Sequence, residues 1–134
     1  MVKMHFMSFP DLSTEHLLLR QLSMRDEREV FALRSDEEVN RYLDRKRAQT
    51  MEDARAFIDN INQGLIKNNW LMWGVTQKGN PSLVGTICLW NFSGDRSVAE
   101  IGYELDPAQQ GKGIMQEAIN AVIDLSFNKI NLKQ

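Results

Sequence analysis

The sequence predicts an α+β fold, an α/β sandwich in which a largely antiparallel sheet is flanked by helices. Three observations carry this. Apolar residues recur at helical spacing between Ala54 and Leu65. Three strand-like runs follow between residues 70 and 105, separated by short turns. A glycine-bearing loop then leads into a last helix. Short turns join antiparallel neighbours, because a parallel return needs a crossover of a dozen residues or more. At 134 residues the chain is long enough for one core and too short for two.

Residues 1–13 read as a loose lead-in. Leu17-Leu18-Leu19-Arg20 reads as a short strand at or near a sheet edge. Ser23-x-x-Asp26 is a helix-start signature, with Val30, Phe31 and Leu33 as the apolar side. Ser35-Asp36-Glu37-Glu38 is a second start, followed by Val39, Tyr42 and Leu43. The charged, basic stretch from Asp44 to Gln49 reads as a solvated loop. Thr50-Met51-Glu52-Asp53 caps a third helix, whose apolar residues Ala54, Phe57, Ile58, Ile61 and Leu65 form one stripe.

The strands are Trp70 to Gln77, Leu83 to Phe92 and Val98 to Leu105. Lys78-Gly79-Asn80-Pro81-Ser82 and Ser93-Gly94-Asp95-Arg96 are the turns between them. The third strand alternates, with Ala99, Ile101, Tyr103 and Leu105 on one face and Glu100, Gly102 and Glu104 on the other. Pro107 ends it, having no N–H for a ladder. The last helix runs from about Ile114 to Lys129, and its polar stripe of Gln116, Asn120, Asp124 and Asn128 is narrow. Most of its circumference is therefore expected under protein. Ile130 to Leu132 reads as the beginning of another strand. Trp70, Trp73, Trp90 and Tyr103 are expected mainly in the core, and Cys88 as a small core hydrophobe.

Composition narrows the chemistry. A formal net charge of −2 gives no bulk attraction for nucleic acid. One cysteine, Cys88, excludes an internal disulfide and a cysteine-based metal cluster. The two histidines, His5 and His16, are not spaced as a ligand pair, so no metal is expected. No apolar run approaches the ~20 residues of a membrane span. Met1 to Phe9 lacks the continuous apolar core of a signal peptide, so a cytoplasmic protein is the expectation.

Strand, glycine loop and helix start together make an anion site, because the first N–H groups of a helix lack intrahelical partners and glycines admit close approach. The loop is Gln110-Gly111-Lys112-Gly113. A P-loop would need a hydroxyl where Gly113 stands, and an earlier glycine at the right spacing. A dinucleotide fingerprint would need a third glycine where Gln116 stands.

Gln110-Gly111-Lys112-Gly113-Ile114-Met115 resembles the coenzyme A loop, Gln/Arg-x-x-Gly-x-Gly/Ala, of the GCN5-related N-acetyltransferase (GNAT) family. Gln110 and Gly113 match, and Met115 departs from the last small position. The chain looks most like the branch that includes the ribosomal-protein-alanine N-acetyltransferases. That likeness rests on Thr14 to Arg20, Asp36 to Val39, Val84 to Ile87, Ile101 to Tyr103, Gly111 to Met115 and the pair Glu117-Ala118. It covers nearly all of residues 14–133, in the family's order. Met115 looks like a trait of that branch.

The resemblance implies a mixed, largely antiparallel sheet flanked by helices, with further strands and a last helix beyond Gln134. A shortened chain is the corresponding expectation. It implies acetyl-CoA as cosubstrate and a small-molecule or peptide amine as acceptor, possible protein N-termini among them. The strand ending at Leu105, with Tyr103, would pair with the pantetheine arm. Gln110, Gly111, Lys112, Gly113, Ile114 and Met115 would wrap the pyrophosphate, mainly through backbone N–H groups. Lys112 adds a charge contact in one reading and is simply solvated in the other. Glu100 is the candidate catalytic base for direct attack of the amine on the thioester, with Glu104 on the same face nearer the loop; the competing reading is a surface or salt-bridged carboxylate. Glu117 suits the helix dipole without any catalysis. Trp90 and Asn91 are candidates for the acceptor cleft. A non-catalytic acyl-CoA-binding or dimerising remnant is the alternative function, and a homo-oligomer would cover the unfinished sheet edge.

Overall fold

The computed structural model describes residues 11–40, 47–67, 69–93 and 98–125. Along the chain, β1 (Leu12–Ser13) and β2 (Leu17–Arg20) precede α1 (Glu27–Ser35), α2 (Glu37–Asn40) and α3 (Met51–Ile66). Next come β3 (Leu71–Gln77), β4 (Leu83–Trp90), β5 (Glu100–Leu105) and α4 (Ile114–Leu125). The five strands form one sheet in the order β1-β2-β3-β4-β5, and every pairing in it is antiparallel. The lead-in is not wholly loose, because Leu12 and Ser13 pair with Leu19 and Leu18. Tyr42, Leu43, the turn at 94–97, the last helical residues from 126 and the strand beginning at Ile130 lie outside the described residues.

Two of the three helix-start signatures act as capping boxes, and at the third Asp36 Oδ1 accepts from Val39 N–H at 2.9 Å at the start of α2. Ser23 and Asp26 satisfy one another's backbone N–H groups around a 3-10 turn, Met24–Asp26, that runs into α1. Thr50 and Asp53 do the same for α3. Each box satisfies two donors that the helix leaves without partners.

The sheet separates two cores. On one face Leu19, Trp73, Val75, Ile87 and Leu89 pack against Ile114, Met115, Ala118 and Val122 of α4. On the other, Leu22, Met72 and Leu83 pack against Val30 and Leu33 of α1 and Ala54, Ile58 and Ile61 of α3. Trp70 touches both cores, and its Nε1–H donates to the Ile61 carbonyl at 2.9 Å. The exposed stripe of α4 is Gln116, Asn120 and Asp124, as the spacing requires.

The aromatic expectation is half right. Trp73 is fully buried and Trp70 half-buried, but Trp90 is 45% and Tyr103 58% exposed. The reason is position in the sheet. Among the described residues β5 pairs only with β4, and the apolar face on which Tyr103 lies with Ile87 and Leu89 reaches past the cover of α4, while Trp90 stands opposite Glu100 on the other face at the end of β4. Ile101 is exposed for the same reason. Alternation sorted Ile101 and Tyr103 onto one face correctly; it carries no information on whether that face is covered.

Candidate functional site

The end of β5 fixes the loop. Asp106 N–H donates to the Val84 carbonyl at 2.8 Å, so the chain stays pinned to β4 beyond the strand. The Asp106 carboxylate then accepts from Ala108 N–H at 3.1 Å and opens a 3-10 turn, Pro107–Gln109. Gly85 lets β4 and β5 come this close, since a Cβ there would stand 2.4 Å from the Glu104 carbonyl oxygen. After the turn, Gly111 and Gly113 adopt φ of +79° and +76°, the left-handed region that favours glycine. The space over both is open, with nothing within 4 Å of where a Cβ would sit.

At Ile114 the chain enters α4, and the Glu117 N–H is bonded to the Gly113 carbonyl at 3.1 Å. By helix geometry the preceding N–H groups have no intrahelical acceptor. The side chains of Ile114 and Met115 are buried in the core, so these two residues face the loop through their backbone. Gln110, Gly111, Lys112 and Gly113 are on the surface, and Lys112 Nζ lies 3.4 Å from Gln109 Oε1. The cradle fits a diphosphate: open space, two left-handed glycines and a positive helix end converge there. Tyr103 and the half-buried Leu105 lead up to it on the edge strand.

The two carboxylates on the opposite face of β5 differ sharply. Glu100 is exposed, and its Oε1 accepts from Asn91 Nδ2 at 3.3 Å. Glu104 is 8% exposed; its Oε1 accepts from Arg34 Nη1 at 3.2 Å and from Thr86 Oγ1 at 3.4 Å. The Arg34 guanidinium also lies over the Phe57 ring, 3.8 Å from its centroid. Glu104 is therefore tied by charge to α1 and, through Arg34, to α3. Moving it would break a largely buried ion pair, whereas Glu100 stands exposed on the strand. Sequence spacing gave no sign of Arg34, Phe57 or Thr86 in this cluster, because they come from three separate elements.

Two further groups are settled by their surroundings. Burial pushes the Cys88 thiol up to about 11, so it is not a thiolate at neutral pH and makes a poor nucleophile. Glu117 accepts from Thr14 Oγ1, from His16 N–H at 2.9 Å, and bonds His16 Nδ1 at 2.9 Å. The Thr14 hydroxyl, then His16, holds its carboxyl at about 2. Glu117 thus ties the start of α4 to the β1–β2 turn, a contact that its place near the helix start did not reveal. Among the described residues no cluster of three or more His, Cys, Asp or Glu is placed to hold a metal ion, and no helix is long and apolar enough to cross a membrane.

Comparisons with known proteins bear on the fold and the family. The sequence profile of the acetyltransferase (GNAT) domain matches residues 16–134. The uncharacterised N-acetyltransferase YoaA of Bacillus subtilis is 30% identical over 126 residues, which are 94% of this chain and 71% of YoaA. A GNAT-family acetyltransferase structure from Bacillus anthracis superposes with a TM-score of 0.78 at 27% identity, over 92% of this chain and 69% of that one. A ribosomal-protein-S5-alanine acetyltransferase structure from Vibrio fischeri gives 0.72 at 25% identity, over 92% and 70%. The chain belongs to the GCN5-related N-acetyltransferase family, whose members move an acetyl group from acetyl-CoA to an amine.

Proposed function

We propose that this chain binds acetyl-CoA along β5 and the loop 110–115, and transfers the acetyl group to an amine on a peptide or small molecule by direct attack. The observation that carries the reading is the cradle of Gly111 and Gly113, with left-handed backbone and open space, at the start of α4. The edge of β5 offers N–H and C=O groups to the pantetheine arm, and Tyr103 and Leu105 flank it. Bound there, acetyl-CoA supplies an activated acyl carbon as a thioester.

The chain's own residues do the rest. The loop N–H groups neutralise and orient the diphosphate, which fixes where the acyl end lies along β5. An incoming ammonium is not a nucleophile until it loses a proton, and Glu100, exposed on β5, takes it directly or through one water. Glu104 serves instead as a fixed charge that anchors β5 to α1. The inert state of Cys88 favours direct transfer over an acyl-cysteine route.

Calorimetry with acetyl-CoA, joined to thiol release with a panel of peptide and small-molecule amines, tests the reading. Binding with release supports it. Binding without release from any acceptor identifies a non-catalytic acyl-CoA module, and absence of binding sinks the cofactor assignment altogether. Glu100→Gln is expected to lower kcat/KM by about 100-fold while leaving thermal stability and acetyl-CoA affinity unchanged.

A further inference from the structure

The end of β4 carries a backbone feature that β5 uses. Trp90, the last residue of the strand, stands opposite Glu100 in the sheet register. The next residue, Asn91, has a φ of +53° and is the one non-glycine residue with positive φ among the described residues. Left-handed backbone is strained for a residue with a Cβ, and least so for asparagine and aspartate. Glycine would make the same turn without strain. Both flanks hold Asn91 in place. Before it runs the β4–β5 ladder, and after it Ser93 N–H donates to the Val98 carbonyl at 2.8 Å.

What asparagine brings to this turn, and glycine lacks, is a side chain. Its Nδ2 donates to Glu100 Oε1 at 3.3 Å. Both residues are exposed, so the contact does not serve the core. The two carboxylates on this face of β5 are thus held in different ways, Glu104 by the Arg34 cation and Thr86, Glu100 by a neutral amide. An amide fixes the direction of a carboxylate without neutralising its charge, as a base requires. The gap between the two is filled. A Cβ on Gly102 would stand 3.4 Å from Trp90 Nε1, so the half-exposed indole lies over Gly102 and separates Glu100 from the Glu104 ion pair.

We propose that Asn91 is a positioning residue for acetyl transfer. Its amide occupies Glu100 Oε1 and leaves Oε2 as the oxygen that takes the proton from the acceptor ammonium. The nitrogen lone pair so freed forms the new C–N bond, and the C–S bond of the thioester breaks. A carboxylate held at one oxygen spends less time turned away from the amine, so the gain falls on kcat rather than on binding. The inference rests on the transferase reading and deepens it.

Two variants separate the amide from the turn. Asn91→Gly keeps the left-handed backbone and removes the side chain; the freedom it adds to the unfolded chain is offset by the strain it relieves. Asn91→Asp keeps the shape and the turn and loses the donor. Thiol release from acetyl-CoA is followed with the panel of peptide and small-molecule amines, beside calorimetry with acetyl-CoA and thermal melting. Each variant is expected to lose about tenfold in kcat, the scale of one hydrogen bond to a charged group. The acceptor KM, the acetyl-CoA affinity and the melting temperature are expected to stay at the wild-type values. In a Glu100→Gln background Asn91→Gly is expected to cost nothing more, since a residue that acts through Glu100 has nothing left to position. Full kcat in either variant, or a tenfold loss that repeats in the Glu100→Gln background, would overturn the inference while wild-type activity upholds the transferase reading. A loss of kcat matched by a lowered melting temperature or weaker acetyl-CoA binding would make Asn91 a structural residue and overturn it as well. No thiol release from wild type with any amine would strike the transferase reading itself, and the positioning role with it.

Discussion

Gly64 provides a test in which two large effects have opposite sign. It lies inside α3, where alanine is ordinarily worth about 1 kcal/mol over glycine. Here a Cβ would stand 2.1 Å from Cε2 and Cζ2 of Trp70 and 2.6 Å from its Nε1. No pair of carbon atoms tolerates 2.1 Å, so the indole must move. Moving it breaks the 2.9 Å hydrogen bond to the Ile61 carbonyl, worth about 1 kcal/mol. It also disturbs a ring wedged between both cores, at an overpacking cost of about 1–3 kcal/mol. The losses exceed the helix gain, and Gly64→Ala is expected to destabilise by about 2 kcal/mol. For a domain of this size that lowers Tm by about 6–8 °C. Urea and thermal unfolding followed by circular dichroism provide the readout. In a Trp70→Leu background the same change is expected to turn neutral or stabilising, a coupling above 1 kcal/mol. An unchanged or raised Tm in the wild-type background would refute the packing argument.

Three other expectations follow from the charges and the loop. Glu117 sits at about 2 rather than 4.5, so its contribution is present above the unfolded value and lost as pH falls from about 4.5 toward 2. At this partly exposed position screening reduces it to about 1 kcal/mol. The same contacts raise His16, whose contribution is present below its unfolded value of 6.5 and lost as pH rises through the folded one. Glu117→Gln should flatten both limbs of a plot of urea midpoint against pH. Gly113→Ala forces a left-handed alanine at φ +76° and puts a methyl in the open cradle; with a backbone cost of about 1–2 kcal/mol, acetyl-CoA affinity measured by calorimetry should drop about tenfold. Arg34→Met removes a cation from the largely buried Glu104 and should cost about 3 kcal/mol in urea unfolding, with much of it recovered in Arg34→Met/Glu104→Gln.

Local signals carried most of the fold. Ser23-x-x-Asp26 and Thr50-x-x-Asp53 are read and used within four residues, so both caps were legible. The meander was legible because turn chemistry and alternation are also local, and the loop because its two glycines stand two positions apart in sequence. What escaped depends on distance along the chain. Arg34 meets Glu104 across 70 positions, and Thr14 meets Glu117 across 103. Neither carries a spacing rule. The exposure of Tyr103 escaped for a different reason: a period of two assigns faces, and only the placement of α4 decides how far along the sheet a face is covered. The place of Gly64 in α3 has no local signal either, and only the indole beside it shows why a side chain is excluded there.

The tie between Glu117 and the β1–β2 turn also bears on how the chain reaches this structure. The β3–β4 hairpin closes over the short turn from Lys78 to Ser82, whereas Thr14 and Glu117 must meet across 103 residues. Loop-closure entropy grows with separation, by about 0.6 kcal/mol per doubling, and each long-range contact is cheaper once nearer ones are made. The meander is therefore expected to form first and α4 to dock onto β2 late, with φ-values near 0 at Thr14 and Glu117 as the check. Contacts made after the folding barrier slow unfolding without hastening folding. The clasp of Thr14, His16 and Glu117 is thus a determinant of how long the assembled cradle persists once formed, rather than of how fast it assembles.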